Sequence, residues 1–600
     1  MLSMNNAICH QADICVIGGG MAGMIAAISA ARHGARVVLM HDRPVLGGNA
    51  SSEIRMWIRG AAGRENRETG ILQELELENI YRNPTMNYSL WDSVLLQAVM
   101  AEKNITLLLN CSCLDCQTAG NRITSVTGWQ LNTYAFHTVE AQIFLDCSGD
   151  SILAPLCGAA YRVGREGQND LGESEAPAQA DRKTMGNSCL IEARQTDHPC
   201  PFTAPEWANV YPDDASMMDK NHDFIGTGVN FWWIELGGEQ DTIADTQTLN
   251  MELLKIAFGV WDHIKNRGDH GADNWELEWV GFLPGKRESR RYEGDYMLTQ
   301  QDLSTGRPFP DVVAYGGWTM DNHLPAGFYA PGYSSHHLPV NAPYPIPYRC
   351  LYSRNIDNLM FAGRNISASH VAFSSTRVMG TIGLLGQAAG TGAAIAVHHD
   401  LTPRQACQQY ITEIQDTLME DDCFLPGLRR KIAPLSKEAT LTCDYGDCSD
   451  LINGLDRRIW GKDNGYFGKT NKAVTYTFSE PKHVAGFRLV VDSDLNREFV
   501  EGNPDGLNTT SVMFYPYSHN QTTFGFPKCM IKHYKIEAQG EDGQWRVVYE
   551  DKENHQRFIK QPLDITARAV RFIPLSTYFS ETKVEDYGSS VAHIFNFEVF

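Results

Sequence analysis

Asp13-Ile14-Cys15-Val16-Ile17-Gly18-Gly19-Gly20-Met21-Ala22-Gly23 is the stretch that decides how this chain folds. Ile14 to Ile17 form a short, continuous apolar run with the character of a buried strand. The run leads directly into G-x-G-x-x-G. An Ala-rich segment then continues to about His33, where Gly34 is placed to end a helix with a left-handed residue. Arg36-Val37-Val38-Leu39-Met40 supplies a second strand. Strand, glycine turn, helix and strand thus follow one another within the roughly thirty residues of a βαβ unit. Gly18 permits the tight turn, Gly20 lets the backbone approach a pyrophosphate, and Gly23 lets helix pack closely on strand. Met21 and Ala22 open the helix, whose free N–H groups and dipole favour phosphate. These residues predict a dinucleotide site.

The end of the second strand departs from the usual pattern, in which an acidic residue binds the ribose hydroxyls. This chain has His41 there, with Asp42 one step later. Both are candidate coenzyme contacts. Either Asp42 turns inward to the ribose, or it is a solvated loop residue and another group holds the sugar.

Beyond the strand comes Leu46-Gly47-Gly48-Asn49-Ala50-Ser51-Ser52-Glu53-Ile54-Arg55. Here the chain resembles the FAD-dependent oxidoreductases that carry two glycines and small polar residues after the second strand. Two later blocks resemble the same family: Phe144-Leu145-Asp146-Cys147-Ser148-Gly149-Asp150, and Asn358-Leu359-Met360-Phe361-Ala362-Gly363-Arg364-Asn365. The resemblance extends through Phe231 to Gly238, Val260 to Asn266 and Pro284 to Arg291, and covers most of Asp13 to about Leu428. It implies FAD as cofactor, with Gly47, Gly48, Asn49, Ser51, Arg55, Gly149, Asp150, Gly363, Arg364 and Arg377 near it. This subgroup resembles oxidoreductases found beside polysaccharide-degrading enzymes, which points to a sugar by association.

The expected fold is α/β, a Rossmann-like FAD-binding domain of residues 13–162 and 348–400 interrupted by an α+β substrate or lid domain of 163–347. A helical connector, 401–435, opens at Thr402-Pro403, a hydroxyl N-cap with proline in the first turn. From 436 to 600 short β-type runs predict a β-sandwich; Val474, Tyr476 and Phe478 alternate as a half-buried strand should. Asp450-Leu451-Ile452-Asn453-Gly454-Leu455 and Trp460 resemble the opening of galactose-binding-like modules, which serve either as carbohydrate binders or as structural contacts. The apolar stretch Thr381 to Val397 contains Gln387 and four glycines, and is expected to be a tightly packed helix rather than a membrane span.

The net charge of −21 disfavours nucleic acid or an anionic membrane as partner, without excluding a local basic pocket. Fifteen cysteines are an odd number scattered along a long chain, and no secretory signal is visible near Met1, so a reducing cytoplasm is expected. Cys111, Cys113 and Cys116 lack a second pair at ligand spacing and are expected to be structural thiols, with no metal site.

Oxidation of an alcohol needs a base for the hydroxyl proton, and histidine suits the task. His370, between the late strand and the glycine-rich helix, is expected near the flavin, either as base or as a hydrogen-bond partner of its edge. His336 and His337 lie in a Pro/Gly/Ser-rich loop, a common active-site wall, and His323 lies nearby. Arg290 is the candidate anion clamp among Arg287, Arg290 and Arg291; strand alternation splits adjacent arginines onto opposite faces. Trp232 and Trp233 either stack on a sugar ring or fill the core. The leading expectation is oxidation of a carbohydrate or polyol hydroxyl, with a small-molecule substrate, an unidentified electron acceptor and room for homo-oligomers. Reduction of a keto or enone substrate, or a non-catalytic flavin-containing glycan-binding scaffold, are the alternatives.

Overall fold

A computed structural model of the chain describes residues 7–63, 65–223, 231–493, 495, 526, 530–578 and 591–600. The chain divides into two compact units. The first comprises Met1–Gly60, Thr85–Ile414 and Ser511–Thr523; the second comprises Ala61–Pro84, Gln415–Thr510 and Phe524–Phe600. Residues 61–84, continuous in sequence with the first glycine motifs, therefore group with the C-terminal unit.

The first unit is built on a five-stranded parallel sheet. Its strands are β1 (Ile14–Ile17), β2 (Val37–Met40), β3 (Ile105–Leu108), β4 (Ile143–Asp146) and β5 (Leu359–Phe361), in the order β5-β4-β1-β2-β3. Every residue of β1, β2, β4 and β5 is buried, as their unbroken apolar sequences require of strands covered on both faces. Helix α1 (Met21–Arg32) follows β1, and Gly34 ends the segment at φ +86°. A second sheet of four strands, Ile8–Gln11, Ala135–Glu140, Arg122–Gln130 and Cys111–Ala119, belongs to the same unit.

Between β4 and β5 the chain makes the long helix α2 (Thr246–Asn266) and several small sheets, including the hairpin Met320–His323 with Ser335–Leu338. Helix α3 (Met379–His398) follows β5. By length and composition it could cross a membrane; here it is buried against α1. A Cβ at Gly386 would stand 2.3 Å from the Ala22 carbonyl oxygen, and one at Gly390 would stand 2.3 Å from that of Ala26. The glycines let two helix backbones touch, which presses α1 onto the sheet.

The second unit is an antiparallel β-sandwich of seven hydrogen-bonded strands. Two are long, Val474–Val491 and Phe558–Thr577, and their mutual register shifts between Thr477 and Lys482 and again between Val484 and Gly486. The first half of Val474–Val491 pairs with Thr440–Cys443, the second with Val591–Val599. The turn at Glu541-Asp542-Gly543 has Gly543 at φ +75°, as its composition predicts. His593 is buried between two carboxylates, with Nδ1 2.6 Å from Asp492 and Nε2 3.1 Å from Asp463. Burial alone would lower its pKa; the two aspartates raise it to about 9.

Val and Gly have similar helix propensities, so Gly390→Val isolates the α1–α3 contact, and the variant should lose about 1–3 kcal/mol of stability in a denaturant melt. Because the folded pKa of His593 exceeds the unfolded 6.5, its contribution is complete below pH 6.5 and disappears as pH rises through about 9. The protection of the Val591–Val599 amides, taken relative to their intrinsic base-catalysed exchange rates, should fall over that window in the wild type, and His593→Gln should flatten the dependence.

Candidate active site

The C-terminal ends of β1, β2 and β4 open onto a cavity of about 1190 Å³. That exceeds the roughly 300–1,000 Å³ of a usual small-molecule site and leaves room for a coenzyme and a substrate together. Three glycine turns frame it. Gly18, at φ +98°, lies so close to the next strand's exit that a Cβ would be 2.5 Å from the Cys147 carbonyl oxygen. Gly23 packs on Gly18 itself: a Cβ there would be 1.8 Å from the Gly18 oxygen, so Gly23 serves the helix–strand contact and does not line the cavity. Gly47 and Gly48 (φ +101° and +60°) form the second turn, joined to the first by a hydrogen bond from Gly47 N–H to Gly19 O of 2.9 Å. Gly20, Met21, Ala22 and Asn49 complete this part of the wall.

Gly149 and Gly363, both at positive φ, make the third group. The Arg364 guanidinium lies where a side chain at 149 would be, with Nη1 2.4 Å from the position of a Cβ. It donates to Asp150 Oδ1 at 2.8 Å, and Asp150 also accepts from Lys286 Nζ (2.7 Å) and Ser289 Oγ (2.8 Å). Burial would raise the Asp150 carboxyl; Arg364 and Lys286 overcome it and hold the group at about 2. The Nε of Arg364 is buried without a partner among the described residues.

His41 and Asp42 both border the cavity, in different roles. The His41 ring turns under the glycine loop, where Nδ1 accepts from Gly19 N–H at 2.9 Å and Nε2 lies 2.9 Å from Val45 O. A carbonyl only accepts, so Nε2 carries the proton and the ring is neutral; burial holds its pKa down. His41 therefore fixes the loop's conformation, and Asp42, its side chain half exposed, is left facing the cavity. Glu53, which the sequence reading passed over, lines it too.

Several predicted contacts stand behind the wall. Ser51 Oγ donates to Gly48 O at 2.7 Å and ties the glycine turn. Arg55 pairs with Glu192 at 2.6 Å, sandwiched between the rings of Tyr88 and Trp279, and does not reach the cavity. His370 does not line it either. It begins the helix His370–Thr376 with its ring buried, Nδ1 2.9 Å from Glu288 Oε2 and Nε2 3.1 Å from Asn322 Oδ1. His336 is exposed on its hairpin and outside the cavity lining. Arg291 is buried in a cluster with Glu166 and Glu288, whereas Arg290 faces the cavity, the split expected of alternation.

The remaining wall comes from the segment between β4 and β5. His337 borders the cavity half exposed, Nδ1 3.0 Å from Thr319 Oγ1 and Nε2 3.3 Å from Ser335 Oγ, with Asp321 Oδ1 at 3.5 Å. His323 lies beside it, but both ring nitrogens are engaged by carboxylates, Glu235 at 2.6 Å and Asp321 at 3.2 Å. Arg377 donates to Asp321 Oδ2 at 3.0 Å. Burial would raise Asp321; His323, Arg377 and His337 together drive its pKa far below the carboxylate range. Arg287 donates to Ser188 Oγ (2.6 Å) and Trp232 O (3.0 Å), with Glu235 at 3.3 Å. Trp232 is half buried, edge-on to His323, while Trp233 sits in the core with Phe231 and Phe328. Cys111 and Cys113 reach the cavity from their strand, with Ser112.

Eight cationic side chains line the cavity against five acidic ones (Asp42, Glu53, Asp150, Asp223 and Asp321). In a chain of net charge −21 that local excess suits an anionic, pyrophosphate-bearing ligand. Residues 13–418 match the family model described as FAD dependent oxidoreductase. The chain belongs to that family and is an FAD-dependent oxidoreductase; its glycine cradle and cationic wall fit the cofactor.

No curated protein matches it in sequence. Among solved structures, it is similar to a geranylgeranyl bacteriochlorophyll reductase-like protein from Thermoplasma acidophilum, with 11% identity over 69% of this chain and 86% of that one (TM-score 0.31). It is similar to the anhydrotetracycline hydroxylase OxyS from Streptomyces rimosus, with 10% identity over 68% and 65% (TM-score 0.30). A family 32 carbohydrate-binding module from Streptococcus pneumoniae EndoD aligns with 27% of this chain and 94% of its own, at 14% identity (TM-score 0.19).

Gly20 gives a clean test of the cradle. Its φ is −66° and a Cβ would meet nothing nearer than Gly48 Cα at 3.8 Å, so the protein itself has room for alanine. Gly20→Ala should fold with an unchanged apoprotein melting temperature yet bind FAD at least about tenfold more weakly, a loss of 1.4 kcal/mol. Unchanged affinity by flavin fluorescence titration would place the pyrophosphate elsewhere.

Proposed function

We propose that the chain oxidises a hydroxyl group of a carbohydrate or related polyol. The observation that carries this reading is the His337–Asp321 pair, which borders the same cavity as the glycine cradle. Bound FAD supplies the two-electron acceptor for such a reaction. The protein supplies the proton acceptor and the position. His337 is the one ring among His323, His337 and His370 that both reaches the cavity and is not held between two acceptors from carboxylate or amide groups. Asp321, kept ionised by its cationic neighbours and 3.5 Å from the ring, stabilises the imidazole once it has taken the hydroxyl proton.

The composition of this part of the wall supports a sugar. Trp57, Trp232, Trp318 and Tyr333 offer apolar faces, and Asn221, Asp321, Ser334 and Arg377 offer donors and acceptors between them. Pyranose rings combine C–H faces with a rim of hydroxyls and use both kinds of group. The resemblance of Asp450–Leu455 to galactose-binding-like modules points the same way; Trp460, close after it, is exposed.

Anaerobic mixing of the purified flavoprotein with a panel of sugars and polyols should bleach the oxidised-flavin band with at least one of them. His337→Asn should retain FAD and slow that bleaching about 10²–10⁴-fold, the usual worth of a general base. Bleaching by organic acids or amines, and by no saccharide, would overturn the substrate class.

A further inference from the structure

A second cluster of titratable groups stands in the same unit, apart from the flavin chemistry: Asp214, His222, His263 and His270. Their nearest ligand atoms all lie within 4.8 Å of one another. His263 Nε2 is 3.2 Å from Asp214 Oδ1 and 3.1 Å from His270 Nε2, and His222 Nε2 is 3.8 Å from the same aspartate oxygen. The three rings converge with centroids 4.8–5.2 Å apart.

The tautomers follow from the backbone. His263 Nδ1 lies 2.9 Å from Tyr211 O, and His222 Nδ1 lies 2.8 Å from Lys220 O. Each carbonyl can only accept, so each Nδ1 carries a proton, and in the neutral ring each Nε2 presents a lone pair to the centre. Histidines that ligate metals are arranged this way, the distal N–H held by a backbone carbonyl. A neutral pair of imidazoles accounts for one contact of 3.1 Å; it does not account for a third ring and a carboxylate aimed at the same point.

We propose that these four side chains bind one zinc ion, through the Nε2 atoms of His222, His263 and His270 and Oδ1 of Asp214. Zinc–ligand bonds of about 2.0–2.1 Å in a tetrahedron put ligand atoms about 3.3–3.4 Å apart. The separations of 3.1, 3.2 and 3.8 Å bracket that value. Four protein ligands close the coordination sphere, the pattern of a structural rather than a catalytic ion. Its place in the fold gives it a task. His263 is on α2, His270 just beyond it, and Asp214 and His222 bracket a segment whose Lys220 and Asn221 line the flavin cavity. The ion clamps that cavity wall to the long helix. Lys220 is held from the other side, its Nζ donating to Ala330 O, Gly332 O and Ser334 Oγ at 2.6–3.0 Å.

The test is metal analysis of the full chain, purified free of any polyhistidine tag and without chelator. About one zinc per chain is expected, with an X-ray absorption shell near 2.0–2.1 Å and imidazole outer-shell scattering. The double variant His222→Gln/His270→Gln should lose the zinc while retaining the flavin spectrum. Should it fail to fold, Asp214→Asn, altered at the exposed rim, carries the test and should weaken zinc at least about tenfold in competition with a chromophoric chelator. An apoprotein that takes up no zinc, or variants that bind it as tightly as the wild type, would overturn the proposal. Neither readout depends on the sugar reading or on turnover.

Discussion

The first unit depends on backbone meeting backbone where β1 passes into α1. The Gly18 carbonyl occupies the space a side chain at 23 would need, and Cys147 and Ser148 occupy the space of a side chain at 18. Any Cβ at either point would push α1 off the sheet. The helix would then lose its contacts with α3, which admit no Cβ at Gly386 or Gly390. One short-range steric condition thus fixes three things together: the angle of α1, the aim of its N-terminal N–H groups, and the entry of α3 into the cavity wall through Val378 and Met379. A coenzyme laid across that helix tip meets free donors and positive dipole, with no side chain between.

Around this frame the charges are placed against the chain's overall sign. Buried ions cost several kcal/mol each unless they are paired. Here Glu235, Glu288 and Asp321 are each met by arginine or histidine: Arg287 and His323, Arg291 and His370, Arg377 and His337. His370 belongs to this lattice. Its ring Nδ1 lies 2.9 Å from Glu288, and its backbone N–H donates to Glu166 at 2.8 Å. The ring is buried and does not line the cavity. His337, at the edge of the lattice, has one carboxylate neighbour and lines the cavity.

What could be read from sequence follows from this division. The βαβ unit and the small-residue helix were legible because each is a local condition written in consecutive residues, whereas Gly47, Gly48, Gly149 and Gly363 came from the family resemblance. The strand alternation that separates Arg290 from Arg291 was legible for the same reason. The function of His41 was not, since it depends on Val45 O and Gly19 N–H coming together across a turn. The position of His370 depends on Glu288, 82 residues earlier in the chain, and Arg55 on Glu192, 137 residues away. Carboxylates that distant leave no spacing signal. Nor do Asp214, His222, His263 and His270, which share a point in space but no motif.

The grouping of residues 61–84 with the β-sandwich has the same origin. That stretch runs from the first glycine motifs to the helix Tyr88–Ala101, yet its charges are satisfied within the second unit: the buried Arg67 pairs with Glu76 at 2.8 Å, and the partly exposed Arg458 with Glu65 at 2.7 Å. Arg457 donates to the backbone carbonyl of Arg67 at 2.9 Å. A buried arginine goes where acceptors are, because leaving it unpaired costs more than the detour of a loop, whose closure entropy grows only slowly with length. Chain continuity is therefore a weak guide to unit membership here, and the location of paired charges a strong one.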